Sequence, residues 1–164
     1  MTLSEIADGL EVTAQQRDRG VATVDATGDL QERLEAFANE LPCDAASAAT
    51  VVEGHLAGRS VGESARSAGI APVTAAKALH LLGCEGVSPL TPRAHDVVAD
   101  WLSAELSRAD AKALTGASET EFALAAFVET HESLDGARAV VEGARRTADG
   151  DALEEARSEL ADLV

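Results

Sequence analysis

Apolar residues recur at intervals of three and four along most of this chain, and they almost nowhere alternate with polar ones. Spacing of that kind gathers side chains on one face of an α-helix, whereas a half-buried strand shows a period of two. The stripe is cleanest over Thr27–Leu41, where Leu30, Leu34, Phe37 and Leu41 share a face and Pro42 stops the element. Asp44–Ala57 follows, with Ala48, Val52 and Leu56 on one side and His55 beside them. Gly58–Gly83 then reads as two short helices joined by a tight turn. Ser60 and Glu63 have the reciprocal spacing of a capping box, and Ala65 and Ala68 are small enough for close helix approach. Gly69 supplies a left-handed residue, Ile70 plugs the angle between the helices, and Pro72 opens the second helix where no amide donor is needed. That second helix carries Ala75, Ala78, Leu79 and Leu82 on its inner face and ends at Gly83.

Gly86–Pro92 holds two prolines and is the best boundary in the chain. Beyond it the same logic repeats. Thr91 caps and Pro92 starts a helix with Val97, Val98, Trp101 and Leu102; Ser107 and Asp110 cap a second, ending near Gly116. Ser118 and Glu121 cap a third, bearing Phe122, Ala125, Ala126 and Phe127, with Glu119, Glu121 and Glu129 turned outward. Ser60 and Gly69 stand nine apart, as do Ser107 and Gly116. Ser133–Thr147 continues helical through Leu134, Ala137, Val140, Val141 and Ala144; Asp149–Gly150 reads as a turn before a last amphipathic helix, Ala152–Val164. At the other end, 2–12 has the spacing of a short helix capped by Thr2 and Glu5, and 13–26 is open between helix and extended chain. The class is all-α: tandem trihelical (helix-turn-helix-like) units with extra N- and C-terminal helices. The divisions fall at 1–43 for an N-terminal helical region, 44–86 and 87–132 for the two units, and 133–164 for the C-terminal helices.

The run of Ala65, Gly69, Ile70 and Ala75 resembles the helix-turn-helix of homeodomain-like and resolvase-like DNA-binding proteins. In those families an alanine is followed four residues on by a glycine, then an aliphatic residue, then a small or aliphatic one five later. The likeness covers about a quarter of the chain. It implies that the outward face of the second helix enters a major groove, which here presents Val73, Thr74, Lys77 and His80. Arg59 and Arg66, with Lys77 and His80, are the candidates for phosphate contact, and Lys77 for a base edge; the alternative role for each is salt bridging to nearby acids.

Composition changes this picture in one respect, which is charge. The 164 residues carry 29 acids against 13 bases, a net charge of −16, and only Lys77 and Lys112 are lysines. An acidic, lysine-poor, alanine-rich chain resembles proteins of salt-loving archaea. The excess is uneven: residues 44–86 hold 4 acids and 3 bases, so the helix-turn-helix segment is nearly neutral inside an acidic protein. In molar salt the Debye length falls to about 3 Å, which weakens the need for a strongly basic patch. With no tyrosine, one tryptophan and three phenylalanines, the core is thin and the helices pack closely.

Other chemistry finds little footing. No phosphate-binding glycine loop or nucleophile elbow is present, so no enzymatic activity is expected. Cys43, Cys84, His55 and His80 do not form a paired-cysteine knuckle, and neither a metal, a disulfide nor a cofactor is expected. No run of 18 apolar residues and no signal sequence occurs, which points to a cytoplasmic protein without a membrane segment. The expected function is a DNA-binding helix-turn-helix protein, a transcriptional regulator or accessory factor acting on double-stranded DNA. The C-terminal half would then serve homodimer formation or contact with a protein partner. The alternative is an acidic protein-interaction adaptor that retains the helix-turn-helix shape without DNA. It expects an exposed apolar patch around Phe122, Phe127 or the last helix.

Overall fold

The computed structural model describes residues 26–162, and the 2–12 helix and the ambiguous 13–25 stretch lie outside them. The described residues form eight α-helices and no strand: α1 (Ala26–Leu34), α2 (Ala45–Leu56), α3 (Val61–Ala68), α4 (Pro72–Leu81), α5 (Pro92–Leu102), α6 (Arg108–Thr115), α7 (Glu119–Thr130) and α8 (Ala137–Asp162). The fold is all-α, as the apolar spacing requires.

The helix ends are set by side chains that satisfy the free amides of the first turn. Asp44 accepts from the Ser47 amide at 2.8 Å and starts α2. Ser60 and Glu63 close a full capping box on α3, and Ser118 and Glu121 do the same on α7. Thr91 and Ser107 cap α5 and α6. Gly69 ends α3 at φ 70°, a left-handed conformation that L-residues adopt only at a cost, and Pro72 opens α4.

Two units emerge. In the first, α2, α3 and α4 surround Val51, Val52, Ala65, Ala75, Leu79 and Leu82, all buried. Leu30 and Leu34 of α1 close that core on one side, and Ala137 and Val141 of α8 on another. In the second, α5, α6 and α7 enclose a smaller core of Val98, Ala111, Phe122 and Ala125, with the Trp101 ring 5.1 Å from that of Phe122. These are tandem trihelical units, flanked by α1 before and α8 after.

Three local expectations are corrected. The predicted Thr27–Leu41 helix is α-helical only to Leu34, then tightens into a 3-10 turn over Glu35–Phe37. Pro42 disfavours helical backbone at Leu41, and a 3-10 turn is a common way for a helix to end. Leu41 is buried and Phe37 half-buried against the same core, so the stripe's purpose survives the change. The helix expected from Ser133 begins later, at Ala137, after Gly136 at φ 78°. The turn expected at Asp149–Gly150 is absent: α8 runs unbroken for 26 residues. A glycine costs a helix interior only about 1 kcal/mol, too little to break a frame anchored by Ala137 and Val141.

Candidate functional site

The helix-turn-helix face is where the sequence places function, and its geometry follows from how α4 is packed. Inward, Ala75, Ala76, Ala78, Leu79 and Leu81 are buried. Outward, α4 does not meet open solvent along its whole length, because α7 of the second unit lies against it. The Lys77 ammonium sits 4.9 Å from the centroid of the Phe127 ring. An ammonium over an aromatic face is attracted by the ring quadrupole, by roughly 0.5–1 kcal/mol at a partly exposed position. The same ring stacks on His131 at 3.9 Å and meets His80 edge-on at 6.1 Å.

His80 is held as well. Its Nε2 lies 2.6 Å from the His131 carbonyl oxygen, to which it donates in the protonated-Nε2 form. One residue on, the Leu81 carbonyl accepts from the Leu134 amide at 2.8 Å. The C-terminal half of α4 is therefore fastened to the α7–α8 connection by a ring contact and two hydrogen bonds. Beside it lies a shallow depression between Leu81 and Phe127, to which Glu40 and Glu132 add carboxylates.

The remaining candidates are placed differently. Val73 and Thr74, at the start of α4, are half-buried. Arg59 and Arg66 are exposed on the other side of the turn, where both act on Glu63. The Glu63 carboxyl is held below the usual range chiefly by its hydrogen bonds from Ser60, with Arg66 and Arg59 adding charge. The six residues thus do not form one outward basic surface. Lys77 and His80 belong to an inter-unit contact, and the two arginines flank a capping carboxylate.

The second unit also uses its charges internally. Glu119 receives hydrogen bonds from Lys112 and Arg108, which lower its pKa in that order, and Glu129 lies 2.7 Å from His95 Nδ1. His95 reaches Ser88 with its other ring nitrogen at 2.8 Å. Glu121 is spent on the α7 cap rather than turned to a partner.

A small polar cleft of about 210 Å³ brings His55 together with Cys84, Arg138 and Arg145. Burial pushes the Cys84 thiol up to about 11 despite the nearby arginines, so it stays protonated near neutral pH and is a poor nucleophile. Cys43 is likewise raised by burial, and both cysteines are free thiols. Among the described residues no three His, Cys, Asp or Glu side chains converge as a metal would require. None of their helices is long and apolar enough to cross a membrane.

Sequence reasoning missed the covering of α4. The signal was present in α7, whose apolar residues Phe122, Leu124, Ala125, Phe127 and Val128 spread over more than one stripe. A helix apolar on two sides is packed on two sides. One side of α7 meets α5, and the other meets α4.

A family model matches residues 1–164, and the chain belongs to that family, which is described as a family of unknown function (DUF7858). No curated protein and no solved structure matches the chain.

Proposed function

We propose that this family member is an acidic protein-interaction module that keeps the helix-turn-helix shape without applying it to DNA. The observation that supports this reading is the position of Lys77, half-buried over Phe127, with His80 tied to the His131 carbonyl. A recognition helix must offer its outer face to base edges and phosphates. Freeing these two residues for a duplex would cost the ring contact, a hydrogen bond and the apolar area between the units. The return would be one lysine and one histidine on a protein of net charge −16.

Exposed leucines on α8 are compatible with such a module. Leu153 is 68% exposed and Leu160 65% exposed, seven residues apart on one helical face. Phe122 is fully buried and Phe127 half-buried, so of the three places where a patch was expected, only the last helix carries exposed large apolar side chains. The acid-rich, lysine-poor composition fits a cytoplasm of high salt.

Selection from a random duplex library in molar potassium chloride tests the reading. Neither the wild type nor Lys77→Ala should enrich any sequence over the starting pool. Enrichment by the wild type that Lys77→Ala abolishes would restore the regulator reading and end this one.

A further inference from the structure

A mainly apolar hollow lies away from α3 and α4, where α8 leaves the body of the protein. It is a groove of about 510 Å³ between α1, α2 and α8, floored by Leu30, Leu56, Ala144 and Ala148. That volume is in the range of binding clefts that bury an apolar ligand. Around the floor stand Asp29, Glu53 and Asp151, with Arg33 the one base. Arg33 is already turned to Asp29, at 3.9 Å. The groove is therefore apolar inside, and net acidic at the edge.

Resting on the protein-interaction reading above, we propose that this groove receives a basic amphipathic helix from a partner protein. Leucine-type side chains of the partner fill the floor, and its lysines or arginines meet Glu53 and Asp151. Helix-in-groove recognition reads anchors at i, i+3, i+4 and i+7, which is what a trough bounded by three helices accommodates. Charge selects this occupant over two amphipathic segments of this chain itself. Residues 2–12 carry Leu3, Ile6 and Leu10 but also Glu5, Asp8 and Glu11 with no base, so acid would face acid. The outer part of α8 from a second copy brings Leu153 and Leu160 beside Glu154, Glu155 and Glu159 against the single Arg157. Both would be repelled by the rim that attracts a basic helix.

The test uses the full chain at the lowest potassium chloride concentration that preserves its helical circular dichroism, because molar salt would screen the rim charges, and four fluorescein-labelled designed helical peptides, read by fluorescence anisotropy. Three share a leucine face and carry Lys, Gln or Glu on the flanks; the fourth keeps the lysines but has Ala for every Leu. The lysine–leucine peptide should bind at least fivefold tighter than the glutamine one, and the glutamate and leucine-free peptides should not bind. Ala148→Trp, at an exposed position on α8, should fill the groove and weaken binding tenfold or more while the helical circular dichroism is unchanged. The pair Glu53→Gln, Asp151→Asn should bring the lysine and glutamine peptides to near equality while leaving the leucine dependence.

No binding by the lysine–leucine peptide, or binding that Ala148→Trp leaves intact, overturns the proposal. Binding that emerges only in an Ile6→Asp, Leu10→Asp variant also overturns it, by making the chain's own N-terminal segment the occupant. A wild-type dimer in sedimentation that Ala148→Trp dissolves overturns it in favour of a second copy. None of these outcomes touches the broader reading, which stands or falls on duplex selection.

Discussion

Gly54 lies where α2 crosses α3, and a Cβ built there would come within 2.4 Å of the Ser64 hydroxyl and 2.9 Å of Ser64 Cβ. The close crossing thus depends on a missing side chain in the middle of a helix, where glycine is otherwise unfavourable by about 1 kcal/mol. Gly54→Ala should lower stability by roughly 1–3 kcal/mol in urea unfolding, because overpacking outweighs the gain in helix propensity. Adding Ser64→Gly, which removes both close atoms, should recover part of the loss. Ser64 itself is fully buried and its hydroxyl has no hydrogen-bond partner. Small residues at Ala65 and Ala68 foretold a close approach in this region. The glycine opposite them, within the 44–57 stripe, was the sharper signal and only the fold shows what it faces.

At the scale of the elements, caps were the most legible feature of the sequence. Ser60, Thr91, Ser107 and Ser118 all accept the amides that their spacing assigns them, because a cap is a local interaction spanning three residues. Carboxylates share in it: Asp44, Glu63 and Glu121 are held below their ordinary values by capping hydrogen bonds. A lowered folded pKa gives stability that is complete above the unfolded value and is lost as pH falls through the folded one. The urea midpoint of a Glu63→Ala, Glu121→Ala variant should therefore lie furthest below wild type at neutral pH. The gap should narrow as pH drops below about 4.5, the ordinary glutamate value. Helix interiors were less legible, since Asp149–Gly150 has the composition of a turn and lies inside α8. Gly150 has nothing within 4 Å of a built Cβ, so Gly150→Ala should strengthen the helix by about 1 kcal/mol, read as slower amide exchange around it. A turn at that position would give the opposite sign.

For the molecule as a whole, the fold class and the two trihelical units could be read from the chain, and the relation between the units could not. Helix periodicity and caps report on neighbours a few residues away, whereas the α4–α7 contact joins residues about fifty positions apart, such as His80 and His131. A sequence shows that Lys77 is off the inner stripe of α4; only packing shows that Phe127 occupies the space beyond it. The groove at α1, α2 and α8 was hidden for the same reason, its lining coming from Leu30, Leu56 and Ala148 on three different helices. The chain's two lysines, Lys77 and Lys112, make the covered face directly measurable. After reductive ¹³C-methylation, which preserves the charge, each lysine gives one dimethylammonium signal by NMR. The Lys77 signal should be displaced upfield by the Phe127 ring, lose that displacement in Phe127→Leu, and stay fixed on addition of duplex DNA. A Lys77 signal at the position of a free lysine, moving when duplex is added, would contradict the covered face of α4 and the interaction module inferred from it.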